Sequence, residues 1–128
     1  MSEVVDSSAW LEYFADGPNA SFFATAIEAP ESVVVPSLVL TEVVRRLDVL
    51  GHSHLIAGVI GHMRQGRIVP LDEALAVRAA SVGRMHGLAL ADSIVYATAL
   101  AVGGVVWTQD ADFENLPGVN YRRHVKHT

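Results

Sequence analysis

Short β-branched runs alternate with longer stretches of helical periodicity along nearly the whole of this sequence. Val4-Val5, Ser32-Val33-Val34-Val35, Ile68-Val69 and Val105 to Thr108 read as strands, and the segments between them repeat apolar residues at helical spacing. Such alternation leaves few folding options. Parallel strands need long crossover connections, and helices supply them on both faces of the sheet. The strands are apolar throughout, as strands covered on both sides should be. The expectation is an α/β chain built on a short-stranded parallel central sheet.

The helices carry recognisable boundaries. Ser7 to Phe14 reads as a helix stopped by Asp16-Gly17-Pro18, and Asn19 to Glu28 as a second, bounded by Pro30. Pro36 closes the second strand, and Ser37 reads as the N-cap of a helix running to about Leu50. His52 to Gln65 follows as another helical segment, ended by Gly66. Asp72 is placed to cap Glu73 to His86, with Gly87 as the stop. Ala89 to Val102 is a strongly apolar helix ended by Gly103-Gly104. A helical turn near Asp112 to Asn115 and an extended piece around Val119 to Tyr121 follow. No repeat, linker or low-complexity tract appears, and the 128 residues suit one domain spanning residues 1–128. At that length about two-thirds of the unfolded chain's surface is buried, enough for one core.

Composition narrows the function classes. A hydrophobic share of 51% argues against disorder. With no cysteine there is no disulfide, thiolate zinc site or cysteine nucleophile, which fits a cytoplasmic setting. No apolar run is long enough to cross a bilayer, and the acidic start Met1 to Asp6 is not a signal peptide. The net charge of -5 runs against the basic balance usual for nucleic-acid binders. That objection weakens if several of the 14 acids share a cation. Lys126 is the only lysine; arginine suits phosphate recognition, and GC-rich codon usage gives the same bias.

The acids are where the chemistry points. Ligands of open parallel sheets bind at the carboxyl ends of the strands. Asp6 follows the first strand and Asp110 the fourth, with Asp112 two residues on. Glu42 and Asp92 interrupt apolar helical stretches that otherwise avoid charge. If the fold gathers these groups, each like-charge pair at 4 Å costs roughly 4 kcal/mol at an effective dielectric near 20. Such a cluster needs a divalent cation or raised pKa values.

Each acid also has a plainer role. Asp6 can cap the helix after it, Asp92 sits in a first helical turn, and Asp110 can cap a turn. Glu42 can pair with Arg46 one turn on, and Arg45 and Arg46 can form a solvated face. Thr108 either orients Asp110 through its hydroxyl or ends a strand. Asp110-Ala111-Asp112 opens like a calcium loop, but Asn115 replaces the mid-loop glycine and Tyr121 the bidentate glutamate. His52, His54, His62, His86, His124 and His127 form no metal-binding pattern and read as surface residues. The basic tail Arg122-Arg123-His124-Val125-Lys126 reads as a soluble end. No phosphate loop or nucleophile elbow is present.

Asp6-Ser7-Ser8-Ala9-Trp10, Pro36 to Glu42, Leu90-Ala91-Asp92 and Trp107-Thr108-Gln109-Asp110-Ala111-Asp112-Phe113 resemble, in order and spacing, the PIN domain, and in particular the VapC toxins of type II toxin–antitoxin systems. The resemblance covers nearly the whole chain. It implies a PIN-like α/β/α sandwich and Mg2+- or Mn2+-dependent cleavage of RNA. It also implies a homodimer and a cognate antitoxin as partner. By motif match Asp6, Glu42, Asp92 and Asp110 form the acidic catalytic and metal site, Asp112 is a further acid near the metal, and Thr108 is a supporting hydroxyl. Competing readings are a catalytically silent PIN-like binding module, a housekeeping RNA-processing nuclease, and a phosphoacceptor receiver domain. The receiver domain needs a lysine at a late strand end, where this chain has none.

Overall fold

The computed structural model describes residues 1–126. Five strands, β1 (Glu3–Val5), β2 (Val33–Pro36), β3 (Arg67–Val69), β4 (Val105–Thr108) and β5 (Val119–Tyr121), form one sheet in the order β3-β2-β1-β4-β5. Every pairing is parallel; Val4 lies opposite Val34 on one side and Val106 on the other. Among the described residues six helices, α1 (Ser7–Phe14), α2 (Ala20–Ile27), α3 (Ser37–Val49), α4 (Ile56–Met63), α5 (Glu73–His86) and α6 (Leu90–Val102), make the crossovers from β1 to β4 and flank the sheet, and a 3-10 turn, Ala111–Phe113, lies between β4 and β5. The strand order reverses at β1, so the carboxyl ends of β1 and β4 open onto one crevice.

The core follows from the pattern of the sequence. Val4, Val5, Val35 and Val106 are fully buried in the sheet, with Trp10, Phe23, Val39 and Val43 packed on it from the helices. Helix α6 is buried from Ser93 to Ala99 and packs against α5 and strands β1, β2 and β4. Its buried hydroxyls cost little, because Ser93 donates to Ala89 O (2.8 Å), Thr98 to Ile94 O (2.7 Å) and Tyr96 to Pro117 O (2.8 Å). Helices α5 and α6 both end on a glycine in the left-handed region, Gly87 (φ 65°) and Gly103 (φ 66°), which a side chain would strain. Among the described residues no single helix is long and apolar enough to cross a membrane.

Several boundaries differ from the sequence reading. Ser32 belongs to a 3-10 turn, Pro30–Ser32, rather than to β2. Ser37 is the first residue of α3 rather than its cap; Pro36 holds the cap position, and the Ser37 hydroxyl accepts the Leu71 N–H. The segment His52 to Gln65 splits into a 3-10 turn, Ser53–Leu55, and α4. Asp72 does cap α5, accepting the Leu75 N–H at 2.8 Å. Of the histidines, His52, His54 and His124 are exposed, but His62 and His86 are half-buried. His62 stands edge-on to Trp10, Tyr13 and Phe14, and His86 to Tyr96, so aromatic packing rather than solvent takes up these rings. His127 lies outside the described residues.

Candidate active site

Asp6 stands between β1 and α1, at the carboxyl end of the central strand. The β1–β4 register brings the end of β4 beside it, and the Asp6 N–H donates to Trp107 O at 3.0 Å. The residue is 4% exposed. Oδ1 accepts the Ser7 N–H at 2.7 Å, which caps α1, while Oδ2 accepts the hydroxyls of Thr108 (2.7 Å) and Ser8 (3.0 Å). Burial raises the Asp6 pKa, the three hydrogen bonds oppose that rise, and the charge of Asp110 adds to it. Capping and membership of an acidic cluster therefore coexist in one side chain.

Asp110 follows β4. Its N–H donates to Thr108 Oγ1 at 2.9 Å, and its Oδ1 accepts the Asp112 N–H at 2.9 Å, capping the 3-10 turn Ala111–Phe113. The Thr108 hydroxyl is thus the hinge between the two strand-end acids, and that side chain is fully buried.

Glu42 reaches the cluster from α3. Burial pushes its pKa up, the charges of Asp6 and Asp110 push it further, and a hydrogen bond with Ser7 opposes them. The charges that act on Glu42 are those of Asp6 and Asp110 rather than that of Arg46, which is exposed and lines the cleft shared with Asp110. The surface-pair reading of Glu42 gives way to burial beside other acids.

Asp92 enters from the first turn of α6. Its pKa is pushed up to about 7 by burial and then by the charges of Asp110, Asp6 and Asp112; a hydrogen bond to Asp112 also favours the protonated form. One carboxylate oxygen each from Asp92, Asp110 and Asp112 lie within 4.8 Å of one another. In octahedral Mg2+ coordination with ~2.1 Å bonds, cis oxygens stand about 3.0 Å apart and trans oxygens about 4.2 Å, so the three side chains would turn inward to seat around one hard cation. The donors are all carboxylate oxygens, the set that Mg2+ or Mn2+ prefers.

The structure therefore brings all five sequence-identified acids into one electrostatically coupled group. Asp112 belongs to the tight three-oxygen set, whereas Glu42 and Asp6 couple to it from the rear of the crevice. Sequence reasoning assigned no role to Ser7, Ser8 and Gln109. Ser8 bonds Asp6 and accepts the Gln109 N–H at 3.1 Å; two hydroxyls directly after a strand-end acid were the available signal. Nothing local to Gln109 marks it. From Ser8, Gln109 and Asp110 a cleft of about 700 Å3 runs between apolar walls that include Leu11, Phe14 and Leu47.

Residues 4–119 match the PIN domain family. No curated protein sequence matches the chain. Among solved structures, a toxin–antitoxin complex from Klebsiella pneumoniae superposes with a TM-score of 0.77 at 21% identity, covering 93% of this chain and 96% of that one. VapC20 of Mycobacterium tuberculosis, a toxin that cleaves the sarcin-ricin loop, superposes at 0.75 with 17% identity, covering 92% and 97%. FitAB bound to a DNA fragment gives 0.71 at 20% identity, covering 98% of each chain. The likeness to these structures is one of fold; with the match over residues 4–119, the chain belongs to the PIN domain family.

Proposed function

We propose that this chain is a Mg2+- or Mn2+-dependent endoribonuclease, the toxin of a toxin–antitoxin pair, working in the cytoplasm on an RNA phosphodiester. The observation that carries the reading is Asp92. Burial and then the charges of Asp110, Asp6 and Asp112 push its pKa up to about 7, and its oxygen lies within 4.8 Å of oxygens of Asp110 and Asp112, a site that is unfavourable empty and favourable around a cation. Asp92, Asp110 and Asp112 would hold the ion directly, with Asp6 and Glu42 completing the negative field behind them.

When bound, such a cation supplies a water of lowered pKa and offsets the charge that builds on the phosphate. In hydrolysis a water oxygen bonds to phosphorus, the P–O3′ bond breaks, and the 3′ oxygen takes up a proton. The chain's own contribution is positioning. Ser7, Ser8 and Thr108 hold Asp6 in one rotamer, and Thr108 fixes the Asp110 backbone against it. No side chain needs to act as nucleophile.

The structural neighbours include a toxin–antitoxin complex, which supports a cognate antitoxin as partner. The apolar cleft beside the acids suits the apolar face of such a segment. Exposed Met85 and Leu90 offer apolar area to a second copy of the chain, consistent with a homodimer.

The test is cleavage of single-stranded RNA with Mg2+ or Mn2+, with and without chelator, by wild type and Asp6→Asn. The expected result is metal-dependent cleavage that Asp6→Asn abolishes while folding and partner binding persist. Growth arrest on expression without the antitoxin should follow the same pattern. A folded Asp6→Asn protein of full activity would exclude this mechanism, and no cleavage by wild type would favour a silent binding module.

A further inference from the structure

Arg122, Arg123 and His124, just after β5, are tied to the site. The Arg122 N–H donates to Thr108 O at 3.0 Å, and its guanidinium lies 4.2 Å over the Phe22 ring. Asn19 Nδ2 donates both to Arg123 O (2.9 Å) and to Gln109 Oε1 (2.7 Å). Gln109 Nε2 in turn lies 3.3 Å from His124 Nδ1. Asn19 is itself fixed from below: it is buried, and its backbone N–H donates to the buried carboxylate of Glu12 at 2.8 Å. That carboxylate occupies the space where a Cβ on residue 17 would stand, so Gly17 is what admits it.

This chain of contacts selects the tautomer of the neutral imidazole at its far end. A backbone carbonyl only accepts, so the Asn19 atom facing Arg123 O is its NH2. The same NH2 meets Gln109, which must therefore present its carbonyl oxygen there and turn its own NH2 toward His124. An amide NH2 only donates, so in the neutral imidazole His124 Nδ1 is the acceptor. The ring proton then sits on Nε2. His124 lines the same cleft as Asp110, Ser8 and Gln109. Carboxylates repel phosphate oxygens, so an RNA strand lying across the acids needs donors close by, and His124 offers one at Nε2.

We propose that His124 is a substrate-positioning residue: held as the Nε2–H tautomer by the Asn19–Gln109 amide pair, it donates a hydrogen bond to an RNA phosphate flanking the one that is cut. This rests on the RNA-cleaving reading above.

Two measurements test it. The first needs neither metal nor RNA. Long-range 1H–15N spectra of the metal-free protein, above the imidazole titration range, should show His124 Nδ1 as the unprotonated nitrogen, and Gln109→Ala should release that preference. The second uses Asp6→Asn, which should bind RNA without cutting it, and a short fluorescein-labelled single-stranded RNA carrying all four bases. Adding His124→Ala should weaken binding roughly fivefold, the share of one hydrogen bond. His124→Gln, which keeps an N–H donor, should restore most of it. In the active enzyme His124→Ala should raise KM and leave kcat nearly unchanged. A protonated Nδ1, or undiminished affinity in His124→Ala, would overturn the proposal while leaving the nuclease reading intact. Failure of wild type to cleave RNA together with failure of Asp6→Asn to bind it would overturn both.

Discussion

The Thr108 hydroxyl donates to Asp6 Oδ2 at 2.7 Å across 102 residues of sequence, and accepts the Asp110 N–H at 2.9 Å from the other side. One buried oxygen thus couples the ends of two neighbouring parallel strands and sets the relative position of two acids. The coupling works only because the β1–β4 register pairs Val5 with Trp107.

Replacing that oxygen should be costly. Thr108→Val keeps the shape but leaves the Asp110 N–H and one face of Asp6 without a partner. We expect a stability loss of about 1–3 kcal/mol by urea denaturation. RNA cleavage should fall as well, because Asp6 and Asp110 lose their common tie, whereas Thr108→Ser should retain most of both.

Asp92 predicts an unusual pH dependence. Its pKa in the folded protein is raised from 3.8 to about 7, so between those values the folded state holds more protons than the unfolded one. Stability then falls as pH rises. The metal-free protein should therefore lose part of its melting temperature as pH climbs through that window. Asp92→Asn should flatten the profile and raise the melting temperature at neutral pH. Mg2+ or Mn2+ should stabilise wild type increasingly as pH rises, because binding requires the ionised carboxylate. An identical metal response in Asp92→Asn would remove Asp92 from the ligand set.

Glu42 and Arg46 separate a site from a surface pair. An exposed pair contributes at most about 1 kcal/mol, so on that reading both Glu42→Gln and Arg46→Ala would be nearly silent. The charges felt by Glu42 are those of Asp6 and Asp110. We expect Glu42→Gln to lower cleavage by about 10- to 100-fold without lowering stability, and Arg46→Ala to leave the rate of metal-dependent cleavage nearly unchanged. Steady-state kinetics and thermal melts of the two variants decide the matter.

The crossing of α5 and α6 is a steric prediction. A Cβ on Gly83 would come within 2.1 Å of Ser93 Oγ and 2.8 Å of Ser93 Cβ. Gly83→Ala should destabilise by about 1–3 kcal/mol, as overpacked sites do. Because Ser93 follows Asp92, the shift should also weaken metal binding. Ser93→Ala in the same chain should recover part of the stability by removing the closer contact.

What the sequence determined by itself is what depends on near neighbours. Strand and helix alternation, glycine stops, the Asp72 cap and the placement of Asp6 and Asp110 at strand ends all arise from backbone preferences and periodicity within a few residues. The sheet class follows from them, because parallel strands require the helical crossovers that the pattern supplies. The tertiary structure decided which charges meet. Arg46 is one helical turn from Glu42, so local spacing favoured that pair, but burial against Asp6 and Asp110 dominates in the folded chain. His62 offered no signal of its aromatic surroundings, since Trp10, Tyr13 and Phe14 reach it from another helix. The residues after Tyr121 carry no periodicity, and contacts with Thr108, Phe22, Asn19 and Gln109, all distant in sequence, bring His124 to the cleft that Asp110 lines. Coulomb energies and hydrogen bonds act through space, so a site gathered from both ends of a chain becomes legible only after the strand register is set.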